Sequence, residues 1–442
     1  MEGGKKVLAF ALLHLGQGGI ERYVSLLTPQ LVRAGYGVVL LTTEGPEHDV
    51  YAQDPRVSRV VLGRGAGGEG RSQRLAAALV EHRVDLVFFE EYYSDTLPAD
   101  VREAERLGVP YVIHHHNVGS NFFIRANPQV DDAAYYGIYA RAAAMIVLSR
   151  CDELYFRALG CRAHYFPNLL ADVPPGYERR PKRNALVWVG RFARNKRPMD
   201  ALLAFERVLC RHPDATLTFV GRIDGDPAVE ELVREVRAYV AGREPLGKAV
   251  RLVGFEADVW SRLAEADVLL TTSEFEGFPY SLMEACAAGV PIAGYELPYL
   301  ELSRGNEGFV ATPQGDVDAL SNAVGGLLAD AELKRRASQA VRRCFERLRD
   351  FDQLGAYGRL IDGILGGGSA GCAAGEATAD VVVRTTVRHA QAGAARLKRR
   401  VREVEAELAR LRSSRAYRLG CLICRPYWLA RDLVRALFRG GR

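Results

Sequence analysis

Apolar residues gather in short uninterrupted blocks, each followed by a longer stretch whose apolar positions recur at helical spacing. The blocks fall at residues 7–13, 38–43, 60–62, 86–89, 111–113 and 145–148, then at 186–189, 217–220, 250–253, 268–271 and 291–294. Strands that are apolar on both faces belong in parallel sheets covered by helices, so this rhythm predicts two series of βα units. A Pro- and Arg-rich segment at 170–183 separates the two series. Helical patterns at 316–328, 331–348 and 352–365 close the second one. The expected architecture is α/β, with doubly wound domains at 1–169 and 184–350 joined by the linker 170–183.

Beyond a helix at 351–366 the pattern changes. Small residues at 367–383 read as a flexible linker. Val387, Ala390, Ala394, Leu397, Val401, Val404, Leu408 and Leu411 then alternate at steps of three and four, the seam of a short coiled coil over 384–412 and a route to a homodimer. Residues 413–442 mix Leu, Ile, Trp428 and Phe438 with Arg418, Arg425, Arg431, Arg435 and Arg439. Such a segment suits an anionic membrane surface, with its apolar face in lipid and its arginines on headgroups. Pro426 divides it into two short helices.

Composition sharpens this division. From Arg384 onward there are 16 Lys/Arg and 4 Asp/Glu, a net +12; the whole chain carries +5, so the remainder carries −7. The tail is a basic appendage on an acidic body, and no nucleic-acid partner is expected. No apolar run approaches the ~20 residues of a membrane-spanning helix. At 442 residues, 48% of them hydrophobic, the chain is long enough for two cores. Eight scattered cysteines form no disulfide framework, and no secretory signal precedes the strand at 7–13. A reducing cytoplasm is expected, with the protein held at the inner face of the cell membrane by its tail. Cys421-Leu-Ile-Cys424 has metal spacing but no second pair or nearby histidine, so it reads as an apolar helix face, and no metal or cofactor is expected.

The most informative stretch is Ser273-Glu-Phe-Glu276-Gly277-Phe278-Pro279-Tyr-Ser-Leu-Met-Glu284-Ala285. It reads as the end of a strand, a tight Gly-Phe-Pro turn and a helix that stops at Gly289 before Val290-Pro291. In a parallel sheet such a turn lies where ligands bind, and the free N–H groups of the helix start favour an anion. Glu276 precedes the helix and Glu284 sits a little over one turn inside it, so two acceptors suited to sugar hydroxyls flank a phosphate-shaped site. The pattern S-x-x-E-G-F-P-x-S-x-x-E-A-x-A-x-G-x-P resembles the Glu-x7-Glu signature of retaining, nucleotide-sugar-dependent glycosyltransferases of the GT-B type, the glycosyltransferase 4 family. That resemblance covers roughly residues 5–365 and implies two Rossmann-like domains facing across a cleft. The first would hold the acceptor and the second the donor, with the helix at 351–366 returning to the first domain.

Four further segments take their meaning beside it. The first βα turn, His14-Leu-Gly16-Gln-Gly18-Gly19-Ile-Glu21-Arg22, lets backbone approach a ligand and resembles the family's G-G-x-E loop, which faces donor diphosphate and acceptor. Gly65-Ala-Gly67-Gly-Glu-Gly70 is a formal G-x-G-x-x-G with Glu90 and Glu91 about twenty residues on. It follows a later strand instead of the first and reads as a plain glycine-rich loop. Tyr111-Val-Ile-His114-His115-His116-Asn117 ends a strand, where alternation sends His114 and His116 to one side and His115 to the other. Sequence neighbours on a strand should not converge on one ion, and no carboxylate helper is apparent. The family carries a sugar-contacting histidine here; the resemblance points to His116, with His114 second. Finally, Val189-Gly190-Arg191-Phe-Ala-Arg194-Asn-Lys196-Arg197 sets two cations five apart before a helix, a sensible diphosphate clamp that resembles the family's V-G-R-x-x-x-x-K. Arg194 and Arg197 carry no expected role.

The resemblance then assigns roles. Arg191 and Lys196 stabilise the departing diphosphate, and Glu276 with the Gly277 and Phe278 amides, next to Pro279, orients the transferred sugar. Glu284 bonds the ribose, His116 caps the sugar, and Gly254 and Phe255 within 252–256 wall the base. Gly190 belongs to the phosphate turn. Partners implied are a nucleotide-diphosphate sugar and a glycan or lipid-linked acceptor. The segment at 295–302 and the tail resemble bacterial enzymes of capsular, wall or lipopolysaccharide synthesis. A silent scaffold acting through its coiled coil, and an epimerase or phosphorylase on the same fold, are the rival readings; no pyridoxal lysine motif supports the phosphorylase.

Overall fold

The computed structural model describes residues 5–64, 69–119, 132–169, 172–256, 258–367 and 410. Residues 65–68 of the glycine-rich loop, the coiled-coil seam, the basic tail and Cys421 with Cys424 lie outside the described residues. Two parallel sheets dominate. The first has seven strands: β1 (Val7–Leu12), β2 (Gly37–Thr42), β3 (Ser58–Val61), β4 (Leu86–Phe89), β5 (Tyr111–His115), β6 (Ala144–Val147) and β7 (Ala163–Tyr165). They lie in the order β3-β2-β1-β4-β5-β6-β7. The second has six: β8 (Ala185–Val189), β9 (Thr216–Val220), β10 (Val250–Leu252), β11 (Val268–Thr271), β12 (Ile292–Tyr295) and β13 (Phe309–Thr312), in the order β10-β9-β8-β11-β12-β13. Each order reverses beside its first strand, between β1 and β4 and between β8 and β11, and ligand crevices form at such points.

The expected architecture holds, with two short strands added at the edges. β7 and β13, of three and four residues, carry too few apolar positions to stand out. Strands inside the sheets are buried throughout: every residue of β4, β6 and β11 is buried.

One apolar cluster joins the two halves, with Val118, Leu148 and Cys151 of the first packed among Phe275, Phe278 and Tyr280 of the second. The chain crosses between them a second time through the helix Gln353–Leu365, capped by the Asp352 carboxylate, which accepts from Gly355 N at 2.9 Å. Tyr357, Leu360 and Ile361 of that helix pack among Leu8, Phe10, Tyr23 and Phe88 of the first sheet. The Tyr357 and Tyr23 hydroxyls meet at 2.7 Å. The return of this helix to the first domain is therefore part of that domain's core. Among the described residues, no helix is long and apolar enough to cross a membrane.

Candidate functional site

β11 ends in a loop that lies against the corresponding loop after β8. Trp188 Nε1 donates to the Thr272 hydroxyl at 3.2 Å, and that hydroxyl faces the Lys196 carbonyl at 2.7 Å. Glu274 N donates to Asn195 O at 2.7 Å. These bonds bring Lys196 to Glu276, whose carboxylate it pairs with directly. Ser273 Oγ donates to the same carboxylate at 2.6 Å. Glu276 is further held by its backbone, because Tyr299 OH accepts from Glu276 N at 2.8 Å and donates to Glu276 O at 3.0 Å. Glu276 is thus a buried, oriented acceptor already matched to one expected phosphate cation.

The helix Tyr280–Ala288 follows, ended by Gly289 in a left-handed conformation at φ 72°. Glu284 is its fifth residue and is only 3% exposed. Burial pushes its carboxyl up, against the pull of Arg22. Arg22, from the first domain, donates to Glu284 Oε1 at 2.6 Å, and its guanidinium lies 4.4 Å from the centroid of the Tyr280 ring. The two domains therefore meet through an ion pair at the expected ribose ligand.

Contact across the cleft is close elsewhere as well. A Cβ built on Gly277 would stand 2.3 Å from His116 O, so glycine is required where the turn abuts the β5 end. Asn168 Nδ2 donates to Phe278 O at 2.8 Å from the end of the first domain. The Gly18 and Gly19 loop faces the same helix, with a Cβ on Gly19 falling 3.8 Å from the Tyr280 ring. Burial raises the Glu21 carboxyl beside this loop, while His14 and Arg191 oppose that rise, which sets Arg191 in the same electrostatic neighbourhood.

Arg191 itself is exposed at the end of β8. The walls behind it are backbone: Gly190 N donates to Val220 O at 2.9 Å and Gly221 N to Gly254 O at 2.8 Å. Gly254 has φ 81°, and Phe255 stands 40% exposed beside it. The two unassigned cations find structural partners. Arg194 pairs with Glu231 at 3.2 Å, and Arg197, at φ 46°, pairs with Asp200 at 3.2 Å and lies 5.8 Å from the centroid of the Tyr295 ring.

The histidines divide as strand alternation requires. His115 turns into the core, its Nδ1 at 2.9 Å from Asn117 O and its ring against Tyr92 and Phe156. His114 and His116 lie on the other side with ring centroids 3.7 Å apart. Two expectations are corrected here. A carboxylate does attend them, Glu90 from the end of neighbouring β4, with Oε2 at 2.5 Å from His116 Nε2 and 3.0 Å from His114 Nδ1. The two histidines also converge, since their ligating atoms and that of Glu90 all lie within 4.8 Å of one another. His114 is fully buried and the His116 side chain is 4% exposed, while the His116 carbonyl oxygen is the atom that meets the Gly277 turn. Glu90 faces histidines instead of a dinucleotide ribose.

Sequence reasoning passed over Arg22, Glu90, Ser273 and Tyr299. Arg22 and Ser273 stand inside quoted motifs, and Glu90, which with Glu91 follows the apolar run 86–89, was noted only as an acid of the formal G-x-G-x-x-G fingerprint. Tyr299 reaches Glu276 over 23 positions, which no local pattern reveals.

Two family models match the chain: residues 18–168 match "Glycosyl transferase 4-like domain" and residues 173–343 match "Glycosyl transferases group 1". A glycogen synthase of Mycobacterium tuberculosis is 30% identical over 185 residues, 40% of this chain and 42% of that protein. The curated relatives are longer than the stretches matched, which span between 20% and 51% of their lengths. Among solved structures, a sucrose-phosphate synthase from Thermosynechococcus elongatus superposes with a TM-score of 0.65 at 20% identity, covering 80% of this chain and 98% of that one. Anabaena HepE, solved in complex with UDP-glucose, gives 0.63 at 16% identity, covering 80% and 98%.

Proposed function

From the premise that this chain, which joins a glycosyl transferase 4-like domain to a glycosyl transferases group 1 domain, is a GT-B glycosyltransferase, we propose that it moves a sugar from a nucleotide-diphosphate donor to a glycan or lipid-linked hydroxyl, with retention. The observation that carries this reading is the meeting of Lys196, Glu276 and Ser273 at the turn before the Tyr280–Ala288 helix, opposite His116. The donor lies over β8 and β11, its base toward Phe255 and its ribose toward Glu284. Its diphosphate lies between Arg191, Lys196 and the helix start. As the bond from the anomeric carbon to the phosphate oxygen breaks, charge grows on the leaving group, where fixed cations stabilise it most. The acceptor hydroxyl attacks from the same face, and its proton passes to the departing phosphate oxygen. Glu276 accepts hydrogen bonds from the sugar while Ser273 and Tyr299 hold it in place.

A role in surface-polysaccharide synthesis at the inner face of the membrane completes the reading; the acidic body and the net +12 from Arg384 onward support it. The test is a panel of nucleotide sugars scored by thermal protection and by release of nucleoside diphosphate, followed by product anomer assignment by NMR. Absence of protection and turnover with every common donor would favour the scaffold reading, and an inverted anomer would remove the retaining one.

A further inference from the structure

Glu90 closes β4, whose last residue Phe89 pairs with Ile113 of β5, so its side chain emerges beside the two histidines that share one face of that strand. Glu90 is fully buried, and a carboxylate in that position must be met by donors. His116 Nε2 at 2.5 Å supplies the directed bond. His114 Nδ1 stands 3.0 Å from the same oxygen but out of line for a hydrogen bond, so it contributes field more than direction. A shared divalent ion fits this geometry poorly. Ligand bonds of about 2.0–2.2 Å require ligand atoms roughly 3.0–3.5 Å apart, wider than the separation between His116 and Glu90.

We propose that Glu90 is a positioning residue that fixes the tautomer of His116, so that this imidazole meets the donor sugar as a hydrogen-bond acceptor through Nδ1. The proposal rests on the reading above that His116 faces that sugar. A neutral imidazole has one N–H and one lone pair. With Nε2–H committed to the carboxylate, the lone pair falls on Nδ1 and accepts from a sugar hydroxyl. Burial, with His114 adding to it, lowers His116 to about 4 in spite of Glu90, so this ring is neutral at neutral pH, while contact with the histidines holds the Glu90 carboxyl below its usual range against burial. The platform is also fixed mechanically. Tyr23 sets its ring edge against His114 at 4.8 Å and His116 at 5.7 Å between centroids. Its hydroxyl is held in turn by Tyr357 at 2.7 Å and Gln353 at 3.0 Å.

The test uses the full chain labelled with ¹⁵N-histidine, with the His116 signals identified by their loss in His116→Gln. Wild type should show His116 as the neutral Nε2–H form at pH 7, and Glu90→Met, which removes the acceptor while keeping the volume, should show a mixture. With the donor found by the panel, Glu90→Met should lower kcat roughly 10- to 100-fold, because the ring loses its fixed orientation together with its tautomer bias. Donor KM should stay within about threefold, and Glu90→Gln, which keeps an accepting oxygen, should recover much of the rate. A purely structural carboxylate gives no such rescue, since replacing a buried ion by an apolar isostere is often neutral for stability. An Nδ1–H or imidazolium ring in wild type, or wild-type kcat in Glu90→Met, overturns the proposal. So does stoichiometric uptake of Zn²⁺ that Glu90→Met abolishes. A His116→Gln enzyme at full rate with the expected tautomer in wild type shows instead that the sugar-contact reading has failed and ends the proposal with it.

Discussion

Replacing Arg22 by Met should destabilise the molecule through a residue in the other domain, and the effect should disappear when Glu284 is also neutralised. The pair spans the cleft at 2.6 Å, with side chains 23% and 4% exposed. Removing one partner from a fully buried pair costs about 3–5 kcal/mol, because the other charge is left uncompensated. Arg22 keeps a water-facing edge, so screening reduces this to about 1–3 kcal/mol, a shift of a few degrees in thermal midpoint. Glu284 already has its carboxyl raised by burial against the pull of Arg22, and losing Arg22 raises it further. A carboxyl raised in the folded state favours folding below its unfolded value and loses that contribution as pH rises through the folded value. The deficit of Arg22→Met should therefore be full at neutral pH and shrink as pH falls toward the carboxylate range. The assay is thermal unfolding of wild type, Arg22→Met, Glu284→Gln and the double variant between pH 5 and 8. A deficit of equal size in the Glu284→Gln background, or one that does not vary with pH, would show that the pair is not formed in solution.

Arg191→Ala and Lys196→Ala should each lower turnover by two or more orders of magnitude with the fold intact, as preorganised donors at a leaving group are typically worth ~2.7–4 kcal/mol; steady-state rates within about threefold of wild type for both would refute the clamp. Glu284→Ala should chiefly weaken nucleotide binding and Glu276→Ala chiefly lower kcat, because ribose contact is uniform along the reaction and sugar positioning is not; calorimetry finding unchanged nucleotide affinity in Glu284→Ala would refute the first half. Gly277→Ala places a methyl group 2.3 Å from His116 O and should lower both thermal midpoint and rate, whereas an unaffected enzyme would mean that the cleft is wider in solution. Deleting residues 384–442 should abolish binding to anionic liposomes and spare activity on a soluble acceptor; equal liposome binding by the truncated form would remove the membrane role.

The central strands were legible because burial on both faces forces uninterrupted apolar runs, and the helices at 317–329, 331–349 and 353–365 stand within one residue of the expected spans. Alternation placed His115 apart from His114 and His116 correctly. It could not reveal Glu90, because a carboxylate 26 positions away joins them only once β4 and β5 pair. The Arg22 to Glu284 bond was hidden for the same reason at greater range, across 262 positions and two domains. Local patterns report which face a residue occupies; which charges share that face is decided by sheet order.

The helix Gln353–Leu365 also bears on how the chain is made. Its Tyr357, Leu360 and Ile361 complete the core of the first sheet, alongside Leu8, Phe10 and Phe88. The N-terminal domain emerges from the ribosome first yet lacks one wall until the whole C-terminal domain has been synthesised. Until then Tyr23 has no Tyr357 hydroxyl to meet, and an apolar face of the first sheet stays open to solvent. A fragment ending at the linker inherits that open face permanently, so the first domain expressed alone should associate through it, and supplying residues 351–367 in trans should return it to a monomer.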